Sequence, residues 1–103
     1  MKFRTRPRFE RDYHGLPDNH RELARRVITK VFQPAAERAA AGEANPWPNS
    51  LRVKKAQGVS GVWEMTWSMD NPDGRATWEW AEIDGEPAVR WRRIGTHRIF
   101  ADP

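Results

Sequence analysis

Three stretches late in the chain, "VWEMTWSM" (62–69), "RATWEWA" (75–81) and "AVRWRRI" (88–94), alternate large apolar and polar side chains at every second position. A period of two is the signature of a β-strand, whose successive side chains leave opposite faces. In the first stretch Trp63, Met65, Trp67 and Met69 face one way and Val62, Glu64, Thr66 and Ser68 the other. In the second, Ala76, Trp78 and Trp80 oppose Arg75, Thr77 and Glu79; in the third, Val89 and Trp91 oppose Arg90 and Arg92. "DNPDG" and "IDGEP" between them carry the Asp, Pro and Gly of tight turns. The pattern predicts an antiparallel meander with one indole-rich face and one polar face. Trp63, Trp67, Trp78, Trp80 and Trp91 then form a surface too apolar to leave in water, so they read as core and the sheet needs a cover.

The cover comes from the first half. After the turn "GLPDNH", with Asp18 or Asn19 as helix N-cap, Leu23, Val27, Ile28, Val31 and Phe32 recur at helical spacing, flanked by Arg21, Arg25, Arg26 and Lys30. Pro34 is expected to break that helix, and "PAAERAAAG" reads as a second one, with Pro34 in its first turn and Gly42 at its C-terminal end. "RPRFERDY" (6–13) reads as a strand anchored by Phe9 and Tyr13, "LRVKK" (51–55) as a further strand, and "GVSG" as a turn. Trp47, between two prolines in the loop "EANPWPNS", either covers an edge or belongs to a partner interface. The expected architecture is a single α+β domain over residues 1–103, with two N-terminal helices packed on one face of a small, mainly antiparallel twisted β-sheet.

The 18 Lys+Arg residues outnumber the 14 Asp+Glu, giving a net charge of +4, and only four of the cations are lysines. An excess of planar guanidinium forks suits a polyanion such as nucleic acid, or an acidic protein. The charge is uneven: residues 1–30 hold nine Lys/Arg and four Asp/Glu, residues 31–85 five and eight, residues 86–103 four and two. The two basic ends must meet in space to make one patch. The absence of cysteine excludes disulfides and thiolate metal sites and points to the cytoplasm. No apolar run is long enough to span a membrane, and "MKFRTRPRFERDY" lacks the apolar core of a signal peptide.

The polar sheet face has two readings: a solvated surface with cross-strand ion pairs, such as Arg75 with Glu64 or Glu79, or a site for a phosphodiester. RNA cleavage by its own 2′-hydroxyl needs a base, cations to hold the phosphorane, and an acid for the leaving 5′-oxygen. This face offers a carboxylate (Glu64 or Glu79), several arginines and, just after the last strand, His97. His14, His20 and His97 are not at metal-ligand spacing, so no metal is expected.

"LRVKKAQGVSGVWEMTW", "GRATWEW" and "VRWRRIGTHRIF", in the order strand, two helices, meander, resemble the RelE/ParE toxin superfamily of type II toxin–antitoxin systems from about Phe9 to Phe100. "GTHRIF" is similar to the ending of its YafQ branch. The resemblance implies a cofactor-free, ribosome-dependent mRNA endoribonuclease that cuts the codon in the ribosomal A site and is silenced by a cognate acidic antitoxin. It implies Arg75 as the phosphate-stabilising cation, His97 as general acid or base, and Phe100 as an aromatic that stacks on or orients substrate. Arg92, Arg93 and Arg98 would hold RNA backbone, with Arg90 beside them on the last strand. Where relatives carry paired lysines on the strand entering the site, this chain has Glu64 and Thr66; Glu64 either serves as the base or pairs with Arg75. The exposed Arg21, Arg25 and Arg26 form a candidate antitoxin stripe. Two other functions share this scaffold: a ParE-like gyrase poison, and a non-catalytic binding domain.

Overall fold

The computed structural model describes residues 1–68 and 73–103, with His97 described through its backbone alone. Met69 and residues 70–72 of the expected hairpin turn lie outside the described residues. The chain opens with β1 (Phe3–Thr5) and α1 (Pro7–His14), followed by α2 (Asp18–Val27), a π-helical turn (Ile28–Phe32) and α3 (Gln33–Ala40). A 3-10 turn (Asn49–Leu51) leads to β2 (Lys54–Lys55), β3 (Val62–Trp67), β4 (Gly74–Ile83) and β5 (Glu86–Gly95), and a second 3-10 turn (His97–Ala101) follows. The strands form one mixed sheet in the order β1-β5-β4-β3-β2. Its β5, β4, β3 and β2 are antiparallel to one another, while β1 runs parallel to β5.

The meander follows the period-two pattern. Trp63 lies opposite Trp78 and Met65 opposite Ala76, so the apolar positions of β3 and β4 share a face. Phe32 covers that face, its ring 5.2 Å from Trp78 and 4.7 Å from Trp91. Trp47 stacks on Phe32 at 5.5 Å, so this loop indole closes one end of the core. The Asp84–Gly85 turn joining β4 to β5 has φ of 54° and 78°, the left-handed pair that a two-residue hairpin with the native strand twist requires. α3 ends in a Schellman-type closure: Glu43 N–H donates to the Arg38 carbonyl, Gly42 N–H to that of Ala39, and Gly42 has φ 93°.

Several local expectations are corrected. Residues 6–13 are helical, and the first strand lies before them. Phe9 and Tyr13 are four apart, a spacing that serves a helix stripe as well as a strand with a skipped position. Pro7, with its preset φ, starts the helix at a position where no N–H is needed. Second, Pro34 does not break the helix: α2, the π turn and α3 form one continuous rod. Gln33 N–H donates to the Ile28 carbonyl five residues back, and this wider turn lets the rod pass a residue that has no N–H and would strike a carbonyl in a regular helix. Asp18 is this rod's first residue, paired with Arg21, and Pro17 takes the capping position. Third, only Lys54 and Lys55 of "LRVKK" are strand, because Arg52 adopts a left-handed φ of 44° that interrupts an extended run.

Candidate functional site

The face of the sheet away from the indoles is formed by Glu64 and Thr66 of β3 beside Thr77 and Arg75 of β4, with Glu79 opposite Arg90 of β5. Arg92 is the extra residue of a β-bulge, since Thr77 pairs with Arg93 and Trp78 with Trp91. After β5 the 3-10 turn folds back over this face. Thr77 Oγ1 donates to the Pro103 carbonyl at 3.1 Å, and Arg92 Nε donates to the same oxygen at 3.0 Å.

Between this segment and β2 lies a cleft of about 280 Å³ lined by Lys54, Ala56, Gln57, Glu64, Arg75, Phe100 and Pro103. Arg75 donates from Nη1 to Thr66 Oγ1 at 3.0 Å, and its guanidinium carbon sits 4.9 Å from the Phe100 ring centroid. The hydroxyl and the ring fix the plane of the guanidinium without neutralising it. Among the described residues Arg75 has no carboxylate partner, which sets it apart from the ion pairs expected of a merely solvated face. Glu64 is 7 % exposed, and its Oε1 lies 3.4 Å from Lys54 Nζ. A cation, an anion and a second cation thus share one cleft: the guanidinium and the ammonium can bracket a phosphate, and the carboxylate can accept a proton.

Arg75, Glu64 and Phe100 line one cleft. The His97 backbone opens the turn that brings Phe100 to the cleft, and its imidazole lies outside the described residues. Arg90 and Arg92 bind Glu79 beside the cleft, with Nη1 of each 3.3 Å from a carboxylate oxygen. Arg93 is turned away: Nε donates to Asp12 Oδ2 at 2.6 Å and Nη1 to the Asp102 carbonyl at 3.0 Å. The bond to Asp12 holds the Arg93 pKa above its ordinary value. Arg98 is exposed on the closing turn and does not line the cleft. Of the candidate docking stripe, Arg21 is used internally, donating to the carbonyls of His14 and Leu16, while Arg25 and Arg26 are exposed.

Lys54 and Gln57 line the cleft without having been singled out from sequence. Lys54 stands opposite Glu64 across β2 and β3, while the Lys55 ammonium lies 5.7 Å from the Trp63 ring centroid on the other face. The adjacent lysines "KK" were the available signal, but a two-residue strand has no periodicity from which to read its register.

No family model matches the chain, and no curated protein and no solved structure matches it.

Proposed function

We propose that this chain is a RelE-like toxin of a type II toxin–antitoxin system: a metal-independent endoribonuclease that cleaves mRNA in the ribosomal A site and is held silent by an acidic antitoxin. The observation that carries the reading is Arg75, oriented by Thr66 and Phe100, without a carboxylate partner among the described residues, and facing the same cleft as Glu64 and Lys54.

In this reading the scissile phosphate lies between Arg75 and Lys54, whose charges stabilise the dianionic phosphorane more than the monoanionic diester. The Glu64 carboxylate takes the 2′-hydroxyl proton. The 2′-oxygen attacks phosphorus, and the bond from phosphorus to the 5′-oxygen breaks. His97 gives that oxygen its proton. The products are a 2′,3′-cyclic phosphate and a 5′-hydroxyl, so atoms and charge balance with no metal or redox partner. Phe100 holds the guanidinium plane and offers its free surface to a base.

Induced expression is expected to arrest translation, with codon-aligned cuts in cellular mRNA mapped by primer extension. Arg75→Ala is expected to lower single-turnover cleavage by about 10²–10³-fold while leaving the circular dichroism spectrum unchanged. Undiminished toxicity in Arg75→Ala and His97→Ala variants, or DNA damage without mRNA cuts, would defeat the proposal.

A further inference from the structure

Beside the cleft, one carboxylate gathers three guanidinium groups. Glu79 Oε1 lies 2.8 Å from Arg6 Nη2, 3.2 Å from Arg6 Nε and 3.3 Å from Arg90 Nη1, and Oε2 lies 3.3 Å from Arg92 Nη1. Three guanidiniums meet this one carboxylate, so positive charge remains in excess on a small surface even with the Asp102 carboxylate acting on Arg92. The exposed Arg4, opposite Arg90 in the β1–β5 register, adds to it. An ion pair between one arginine and one carboxylate needs no explanation beyond stability. A surplus of like charge does: the guanidiniums repel each other, solvent screens that repulsion only in part, and a second anion would relieve it. The outer two are accessible, with side-chain exposures of 44 % for Arg6 and 40 % for Arg90, while Glu79 beneath them is 19 % exposed.

The geometry points to a second phosphate subsite for the same RNA strand, a few nucleotides from the scissile position, in which Glu79 is a positioning residue that holds the forks of Arg6, Arg90 and Arg92 outward. This inference rests on the nuclease reading above for the identity of its ligand. Its location favours RNA over an acidic polypeptide. Glu79 lies four residues beyond Arg75 on the same face of β4, which is roughly 13 Å along the strand. Pro103 joins the two places, because it lines the cleft and its carbonyl accepts from Arg92. A strand leaving the cleft past Pro103 meets the arginine cluster next. Planar forks arranged around a fixed anchor match the bidentate geometry of a phosphodiester. Burial raises the Glu79 pKa, but hydrogen bonds from Arg6 and Arg90 and the charges of Arg6 and Arg92 outweigh it, so the anchor stays ionised at neutral pH.

The test is fluorescence anisotropy with a fully 2′-O-methylated single-stranded RNA, which binds without being cut, over a series of salt concentrations. Arg6→Ala and Arg90→Ala are each expected to weaken binding several-fold and to lower the salt slope by about 0.7 for each phosphate no longer neutralised. Arg90→Lys, which keeps the charge and loses the fork, is expected to weaken binding with the slope nearly unchanged. Glu79→Gln separates positioning from bulk charge. It adds one positive charge, so a diffuse electrostatic surface would bind more tightly, whereas a positioned cluster binds more weakly. Tighter binding by Glu79→Gln with an unchanged melting temperature overturns the positioning role. Unchanged RNA affinity in Arg6→Ala and Arg90→Ala, with weakened binding of poly-glutamate, makes the cluster a protein-docking surface and overturns the subsite while leaving the nuclease reading intact. Wild-type protein that binds no RNA at low salt overturns both.

Discussion

Arg75 and Arg92 occupy the same sheet face, yet Arg92 shares the Glu79 carboxylate with Arg6 and Arg90 while Arg75 is held by a hydroxyl and a ring. In the proposed nuclease, that seat makes Arg75 the cation aimed at the scissile phosphate, and it predicts a strong response to conservative change. Arg75→Lys keeps the charge but cannot donate to Thr66 and lie flat on Phe100 at once. Its single-turnover cleavage is expected to fall nearly as far as that of Arg75→Ala; cleavage close to wild type would show that a point charge suffices. Glu79 offers a measurement independent of any substrate. Its carboxyl pKa lies below the ordinary 4.5, despite burial that pulls it upward, because Arg6, Arg90 and Arg92 favour the ionised form. A carboxylate with a depressed folded pKa stabilises the fold above its unfolded pKa, and that contribution fades as pH falls through the folded value. Urea denaturation across the acid range is therefore expected to show a shallower loss of stability below about pH 4.5 for Glu79→Gln than for wild type. Which polar side chains share a face was legible in the alternation of β4. Their partners were not: the sequence offers Glu64 and Glu79 equally to Arg75, and the outcome depends on strand register and on where Arg6, 69 positions before Arg75, comes to lie.

β3, β4 and β5 were legible as elements because a half-buried antiparallel strand writes its environment at every second residue. α1 was not, since eight residues with two aromatics four apart satisfy either period, and tertiary packing decides. Here α1 docks beside β5, with Phe9 5.8 Å from Trp91 and Asp12 Oδ2 accepting from Ile94 N–H at 3.2 Å, beyond the point where β1 stops covering that strand. Two substitutions probe how the helical rod and the meander lock together. Phe32 is 1 % exposed and touches Trp47, Trp78 and Trp91, so Phe32→Ala is expected to cost about 3–5 kcal/mol in chemical denaturation. Gly74 begins β4 directly opposite Trp67, and a Cβ built there would lie 2.6 Å from the indole Nε1 and Cζ2. Trp67 is 2 % exposed, so a Cβ at position 74 must displace a buried indole, and Gly74→Ala is expected to cost about 1–3 kcal/mol, measured the same way. A neutral Gly74→Ala would mean that the indole repacks freely.

The basic segments at the two ends of the sequence become one surface because β1 runs parallel to β5. Phe3 lies opposite Val89 and Arg4 opposite Arg90, Val89 N–H donates to the Lys2 carbonyl at 3.2 Å, and Arg6 N–H donates to the Trp91 carbonyl at 2.9 Å. Ion pairs from Lys2 to Asp84 at 2.7 Å and from Arg8 to Asp102 at 2.6 Å reinforce the seam, although exposed pairs of this kind contribute little each. This parallel edge was invisible in the sequence: three residues carry no usable period, and the pairing spans more than eighty positions. A pairing between residues so far apart in the chain carries a large loop-closure cost, which its backbone bonds and packing must offset. It also protects β5, whose outer N–H and C=O groups would otherwise face water as an open edge. Deleting residues 1–5 is therefore expected to lower Tm by about 5 °C or more and to weaken RNA binding, because Arg6 loses the strand that aligns it with Glu79. Arg6→Ala in the intact chain is expected to weaken RNA binding with a much smaller change in Tm. Thermal melts and anisotropy on the two variants separate the effects. A deletion that leaves both quantities unchanged would show that β1 takes no part in the cooperative unit, and the charge surface would then have to assemble from β4 and β5 alone.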